Sequence, residues 1–88
     1  MNAQEKITEY AHGKNDTSMT DQEFAGMMIK EGAVINRTPS SKTIARITRQ
    51  GRQIIITETT VTGTSKAQDG KLVFGETTET VEIARIDL

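Results

Sequence analysis

Residues 42–64 read KTIARITRQGRQIIITETTVTGT, and this stretch decides the fold. β-Branched isoleucine, valine and threonine dominate it, and such side chains favour extended backbone. The run is interrupted by Gln50 and Gly51, and the glycine supplies the positive φ that a tight hairpin needs. We therefore predict two antiparallel strands, over about residues 42–49 and 52–64, joined at this dipeptide.

A third strand is predicted over about residues 71–87. It directly follows Asp69 and Gly70, whose sequence is a strong signal for a two-residue hairpin turn. This turn brings Ile83 near Ile56 on the second strand. The three strands together form an antiparallel β-meander.

The predicted register divides the sheet into two faces of different character. We expect helices to cover one face, which is aliphatic and holds Ala45, Ile47, Ile54, Ile56, Val81 and Ile83. The other face is mixed and holds Lys42, Ile44, Arg46, Ile55, Thr57, Thr59, Val61, Phe74, Thr78, Thr80, Ala84 and Ile86. It is too apolar for full exposure and too polar for a core, so we expect a second chain to cover it.

The residues before the sheet predict two short helices. Apolar side chains recur at helical spacing over about residues 3–12, where Asn2 can cap the start and Gly13 can end the helix. The second helix begins at a capping box. In it, the Thr20 hydroxyl can accept a hydrogen bond from the Glu23 amide, and the Glu23 carboxylate can accept one from the Thr20 amide.

Gly32 ends the second helix and marks the end of the helical part, residues 1–32. Residues 33–41 are predicted as a loop, with a short extended piece at 33–35, and residues 42–88 as the meander. The chain is thus a single α+β domain, with two short N-terminal helices packed on a three-stranded antiparallel sheet.

Composition predicts a lean core. Of the 88 residues, 34% are hydrophobic, three are aromatic and none is cysteine, so disulfides cannot compensate for limited burial. Small domains of this kind are often completed by oligomerisation, and we expect a homo-oligomer. The start of the chain is polar, without the apolar stretch of a secretory signal, so we expect a cytoplasmic protein without a membrane segment.

The charges are segregated along the chain. Residues 30–52, the basic segment, carry six basic side chains and one acid, a formal charge of +5. Residues 1–29 and 53–88 each carry −3, which gives the net charge of −1. Such segregation predicts either an anion-binding surface or a surface complementary to another part of the same protein.

The candidate ligand-binding residues are five of the six cations of the basic segment, namely Arg37, Lys42, Arg46, Arg49 and Arg52. The predicted turn places Arg49 opposite Arg52, and like charges across a strand pair repel. Three things could offset this repulsion: solvent, acids of a partner surface, or a bound phosphate or carboxylate, which arginine can hold with two hydrogen bonds.

Signals for catalysis are weak. His12 is the only histidine and lies at the end of the first predicted helix, where a cation suits the helix dipole. With one histidine and no cysteine, zinc is not expected, and no serine has a visible base. Four glutamates on neighbouring strands fit solvated positions better than acid–base or metal chemistry: Glu58, Glu76, Glu79 and Glu82. We expect no enzyme activity, no metal and no cofactor.

The sequence therefore predicts a small non-enzymatic binding or inhibitor protein. It would bind a partner protein or a small anionic ligand, such as a nucleotide, stoichiometrically through the arginine-rich hairpin. Compact cysteine-free chains of this size are frequent among phage and mobile-element counter-defence proteins. Two alternatives stay open: a nucleic-acid-binding or transcription-regulatory protein, which a sequence pI near 5.8 disfavours, and a structural component of an assembly.

Overall fold

The computed structural model describes residues 2–88 and contains two helices followed by four strands. The elements are α1 (Ala3–Lys14), α2 (Asp21–Lys30), β1 (Ala33–Arg37), β2 (Ser41–Gln50), β3 (Gln53–Gln68) and β4 (Lys71–Asp87). All neighbouring strands are antiparallel, and their order in the sheet is β1-β2-β3-β4. The α+β prediction is confirmed, but its three strands are in fact four.

The additional strand is β1, in the region predicted as a loop. It pairs with β2, and the Thr38 amide donates to the Ser41 carbonyl at 2.8 Å to close the hairpin. Pro39 favours a non-helical conformation at Thr38, as the sequence indicates. Because Pro39 lies in the turn itself, its missing amide does not interrupt the backbone hydrogen bonds between β1 and β2.

Both predicted N-terminal helix caps are confirmed, but the Glu23 carboxylate accepts from the Thr20 hydroxyl, at 3.0 Å, where the capping box predicts the Thr20 amide. The Glu5 amide donates to Asn2 Oδ1 at 2.9 Å, and the Glu23 amide donates to Thr20 Oγ1 at 3.2 Å. The first helix does not end at Gly13, however. It continues to Lys14, because the Asn15 amide still donates to the Ala11 carbonyl at 2.8 Å.

The predicted register between β2 and β3 is wrong, because the two-residue turn begins one residue later than predicted. Gln50 pairs with Gln53, so the turn comprises Gly51, at φ 61°, and Arg52. Arg49 consequently lies opposite Ile54 and not opposite Arg52. Since the shift changes each pairing by two positions, every residue of β2 and β3 keeps its predicted face.

The second turn is as predicted, with Asp69 at φ 52° and Gly70 at φ 76°. Further along β4, Ile56 pairs with Ala84 while Thr57 pairs with Glu82.

Ile83 is therefore an extra, bulged residue between these two pairs, and a bulge reverses the faces of the residues that follow it. Ala84 and Ile86 turn towards the helices, contrary to the prediction. Ile83 does not oppose Ile56 and is 43% exposed.

The helices lie on one sheet face, here called the helix-side face, and the core lies between them. Its buried members are Ile7, Ala11, Phe24, Ala25, Met28, Ala33, Ala45, Ile47, Ile56 and Ile86. The largest of these, Phe24, Met28 and Ile56, have relative exposures of 1%, 0% and 2%. The helices thus cover only the part of the sheet where β2 accompanies β3 and β4.

Candidate binding surface

The sheet face opposite the helices, here called the open face, carries no covering layer within residues 2–88. Alternation from the paired strands assigns its side chains: Val34 and Arg37 on β1; Lys42, Ile44, Arg46, Thr48 and Gln50 on β2; Gln53, Ile55, Thr57, Thr59, Val61, Ser65 and Ala67 on β3; Leu72, Phe74, Glu76, Thr78, Thr80, Glu82, Arg85 and Asp87 on β4. The face is mixed, as the sequence predicts, without Ala84 and Ile86.

The structure brings two of the five candidate cations directly together. Arg37 and Lys42 are paired across β1 and β2 on the open face. Arg46 lies four residues further along β2 on the same face, and its Nη2 donates to the Glu31 carbonyl at 3.2 Å. This bond satisfies a carbonyl at the carboxyl end of α2, so Arg46 also has a structural role.

The other two cations lie at the far end of β2. Arg49 is on the helix-side face, and its Nε donates to the Gly51 carbonyl at 3.2 Å. Arg52 is in the turn, and its carbonyl accepts the Leu88 amide at 2.8 Å. About 20 Å of strand separates this pair from Lys42, so the five cations do not form one cluster.

The ion pairs of the described residues all lie outside the basic segment. They join His12 to Asp21 at 2.6 Å, Lys14 to Glu58 at 3.3 Å and Arg85 to Glu82 at 2.7 Å. The hydrogen bond from Arg85 lowers the pKa of Glu82, and both residues lie on the open face of β4. No carboxylate of residues 2–88 lies within 4.0 Å of any cation of the basic segment, whose charges therefore stay available to a ligand.

Two adjoining clefts lie where β2 begins, beside the β1–β2 turn. The smaller, of about 240 Å³, is bounded by Arg37, Lys42 and three hydroxyl side chains, and the carboxylate of Glu76 closes one side. The larger, of about 560 Å³, lies between the β1–β2 turn at Pro39 and the open face of β3 and β4 around Phe74. Its lining is predominantly apolar.

The hairpin of β3 and β4 continues beyond Ser41, the first residue of β2. The last residue of β3 with a partner on β2 is Thr62, so residues 63–76 form a two-stranded extension, here called the arm. Every arm residue is exposed, and Leu72 and Phe74 show 65% and 76% of their surface. The Gly63 amide donates to the Ser40 carbonyl at 2.7 Å, which anchors the base of the arm to the β1–β2 turn.

The arm gives the molecule an unusually large surface. The solvent-accessible area is 6395 Å², whereas a monomer of 9.7 kDa is expected to have about 5,100 Å². The radius of gyration is 16.1 Å, against roughly 12 Å for a compact domain of this length. The sequence carries a signal for this, because the predicted second and third strands are longer than the first.

No protein-family model, curated protein sequence or solved structure matches this chain. Among residues 2–88, no helix has the length and apolar character needed to cross a membrane. No group of three or more histidine, aspartate or glutamate side chains in the same range could hold a metal ion. Any functional proposal must therefore rest on the surfaces described above.

Proposed function

We propose that this protein is a small non-enzymatic binding protein that acts by stoichiometric association with a partner protein. The observation that carries the proposal is the arm, which projects beyond the core with both faces exposed. A two-stranded ribbon is marginally stable by itself in water, so its projection is best supported by contact with another molecule. An inhibitor, including a counter-defence protein, is the class in which such contact alone is sufficient for function.

The outer edge of β4 is the contact element that we propose for the partner. β4 is the last strand in the sheet order and has no neighbour on its outer side among the described residues. From residue 71 to residue 82 it pairs with β3 without a bulge and contains no proline, so it lacks two usual devices against strand addition. An extended segment of a partner can add to such an edge through backbone hydrogen bonds.

The hairpin geometry identifies which amides face outwards. Gln68 and Lys71 flank a two-residue turn and so exchange both backbone hydrogen bonds. Alternation then directs the amides of even-numbered residues 72–80 away from β3. The substitution Thr78→Pro removes one outward donor and no bond to β3, whereas Thr78→Val keeps the donor and serves as the matched control.

The test is quantitative capture from an extract of the source organism on immobilised protein. We expect one protein to be retained at a fixed molar ratio by the wild type and by Thr78→Val, and to be lost with Thr78→Pro. Circular dichroism should show that both variants stay folded. Retention of no protein, or of the same protein at the same ratio by Thr78→Pro, would contradict the proposal.

A second candidate function is binding of a small anionic ligand, supported by the absence of described carboxylates near the cations of the basic segment. Arg37 and Lys42 are paired beside the smaller cleft and its hydroxyl groups, and they are the residues best placed to bind the anion. A nucleotide phosphate there would relieve the repulsion between the two cations. Glu76 opposes this, because its carboxylate borders the same cleft.

Calorimetric titration with mononucleotides and pyrophosphate tests this candidate. If the site binds them, Arg37→Ala and Lys42→Ala should each weaken binding by about 1.5–3 kcal/mol, the usual contribution of a hydrogen bond to a charged group. Arg52→Ala, at the other end of β2, is the matched control and should have no effect. No heat for any of these anions would leave only the protein-binding proposal.

A further inference from the structure

We propose that the open face is the interface of a homodimer, in which two sheets pack face to face about a two-fold axis that runs parallel to the strands along β3. The occupant of this face is thus a second copy of the same chain. The proposal uses side chains of the open face, whereas the partner proposed above adds to the outer edge of β4. Either can therefore hold without the other.

The charge pattern across the open face is the first argument. Its β1–β2 side carries only cations, namely Arg37, Lys42 and Arg46. Its β4 side carries the acids Glu76, Glu82 and Asp87, with one cation, Arg85, that is already paired to Glu82 at 2.7 Å. Between them, β3 contributes uncharged threonine and aliphatic side chains. The face is therefore divided into opposite charges on either side of β3.

The strand register places one pair of opposite charges at the same level. Arg46 pairs with Thr57, and Thr57 pairs with Glu82, so these three residues form one row across the sheet. Rotation by 180° about an axis along β3 places β2 over the partner's β4 and preserves each row. Arg46 then faces the partner's Glu82, and the contact occurs twice because the dimer is symmetric.

The alternative two-fold axis, perpendicular to the strands, is disfavoured by the same pattern. It would lay β2 over the partner's β2 and β4 over the partner's β4. Cations would then face cations, and acids would face acids, which costs several kcal/mol across an interface. The charges therefore favour the axis along β3 over the axis perpendicular to the strands.

The larger cleft supplies an independent shape argument. It lies just before the first residue of β2, between Pro39 and Ser40 of the turn and residues 63–65 and 74–76 of the arm, so that the chain's own Phe74 forms one wall. The proposed axis places the partner's β4 over the line of β2, at the level of Phe74. We assign the cleft of about 560 Å³ as the receptor for the partner's Phe74, a side chain that is 76% exposed in the single chain.

The available area approaches that of a standard interface. The open face measures about 30 Å by 14 Å where β2, β3 and β4 run side by side and about 16 Å by 10 Å along the arm, a footprint of roughly 600 Å² before side-chain relief is counted. A standard interface buries about 800 Å² on each partner. The excess surface of this chain over a typical monomer, 6395 Å² against about 5,100 Å², is of the same size or larger.

Analytical ultracentrifugation at micromolar concentration provides the first test. We expect the wild type to sediment as a dimer and Phe74→Ser to raise the dissociation constant about tenfold or more. Val73→Ser is the matched control, because Val73 is the adjacent residue, is 48% exposed and lies on the helix-side face. A monomeric wild type, or equal effects of the two substitutions, would overturn the proposal.

A charge exchange tests the axis itself. Arg46→Glu and Glu82→Arg each create two repulsive contacts in a homodimer, so each variant alone should dimerise about tenfold or more weakly than the wild type. An equimolar mixture should form a heterodimer, because both contacts then join opposite charges. Failure of the mixture to associate, with both chains still folded by circular dichroism, contradicts the axis.

The dimer and the proposed partner contact can fail separately. Phe74→Ser keeps every outward amide of β4, so it should weaken the dimer and still retain the captured protein. Loss of capture with an intact dimer would contradict only the function proposed for the β4 edge. A wild type that is monomeric and still captures the protein would contradict only the interface inferred here.

Discussion

Similar apolar side chains occur in two regions of the molecule, the arm and the part of the sheet that the helices cover. They are exposed in the first and buried in the second. Phe24 and Ile56 are buried between helix and sheet, at 1% and 2% exposure, whereas Phe74 and Leu72 are 76% and 65% exposed on the arm. The strands are continuous between the two regions. The difference arises because α1 and α2 cover only one part of a sheet whose two longest strands extend well beyond it.

This contrast separates stability from association. Burial of apolar surface provides most of the free energy of folding, and here it is confined to the covered part of the sheet. The arm gains its shape from strand pairing and from the turn at Asp69 and Gly70, neither of which buries much surface. Its apolar side chains are therefore available for intermolecular contact, and substitutions in the two regions should have different kinds of effect.

The largest expected difference is between two phenylalanines. Phe24→Ala should lower the free energy of unfolding by about 3–5 kcal/mol, because it leaves a cavity in the core. Phe74→Ala should leave the stability of the monomer within about 0.5 kcal/mol, since exposed positions contribute little. Urea unfolding of both variants at low protein concentration measures this. Similar losses would show that the arm belongs to the cooperative core.

The sequence predicts local features, such as helix caps and the Asp69–Gly70 turn, better than strand pairing in the covered region, for physical reasons. Capping at Asn2 and at Thr20 depends on contacts within four residues, so it can be recognised locally. The bulge at Ile83 depends instead on which aliphatic residue the helices accept, and Ile86 fits the core next to Ile54. No local signal in the sequence marks that choice.

The turn after β2 illustrates a similar limit. A glycine can occupy either central position of a two-residue turn, so Gly51 permits both registers. The observed one places Gln50 opposite Gln53, and it separates Arg49 from Arg52. The candidate cations can be recognised from composition alone, but their division into two groups depends on the register and on the strand β1, which a loop prediction conceals.

The next largest difference is expected between alanine substitutions of two glycines that have positive φ. Gly32 ends α2 at φ 89°, and a Cβ there would lie 2.9 Å from Ile44 Cγ2. Gly32→Ala should therefore destabilise the whole fold by about 1–3 kcal/mol, through both backbone strain and crowding. Gly70 lies at φ 76° in the arm, and a Cβ added there would meet no other atom within 4 Å.

Gly70→Ala should strain only the turn of the arm. We expect faster amide exchange in residues 64–75 and an unchanged midpoint of global unfolding. Hydrogen exchange followed by mass spectrometry, together with urea unfolding, measures both quantities. A lower midpoint for Gly70→Ala, comparable with that of Gly32→Ala, would be evidence that the arm and the core unfold as one unit.

A hydrogen bond between helix and sheet gives a smaller effect. The Tyr10 hydroxyl donates to Glu58 Oε1 at 2.6 Å, and Lys14 Nζ lies 3.3 Å from the same oxygen. Burial and the bond to Glu58 raise the pKa of Tyr10 above its usual value, so the hydroxyl keeps its proton. Tyr10→Phe should cost about 1–2 kcal/mol, since it removes a bond to a charged acceptor.

The matched control for Tyr10 lies on the open face, where no helix covers the sheet. The hydroxyls of Thr59 and Thr80 are 3.0 Å apart in an exposed position. At low protein concentration, where the chain is monomeric, Thr80→Val should cost less than about 0.5 kcal/mol, because water competes for this bond and valine suits a strand. Equal losses for the two variants would contradict the view that helix cover determines the value of a contact.

The smallest expected effect concerns pH and the junction between the helices. Asp21, at the start of α2, accepts hydrogen bonds from Asn15 at 3.0 Å and from His12 at 2.6 Å. These bonds, that from Asn15 first, lower the pKa of Asp21. Because the folded pKa lies below the unfolded one, the stabilisation is complete above the ordinary aspartate pKa of about 3.9 and is lost as the pH falls through the folded value.

Melting temperatures between about pH 6 and pH 2 test this linkage. The wild type should lose more stability on acidification than Asp21→Asn, whose side chain does not titrate, and the two curves should converge at the acidic end. Asp69→Asn is the control in the arm, because asparagine suits the same turn and the position lies outside the core. Its curve should follow the wild type throughout. If it instead flattened as that of Asp21→Asn does, the pH dependence could not be assigned to the junction between α1 and α2, and the arm would have to contribute to the stability of the fold.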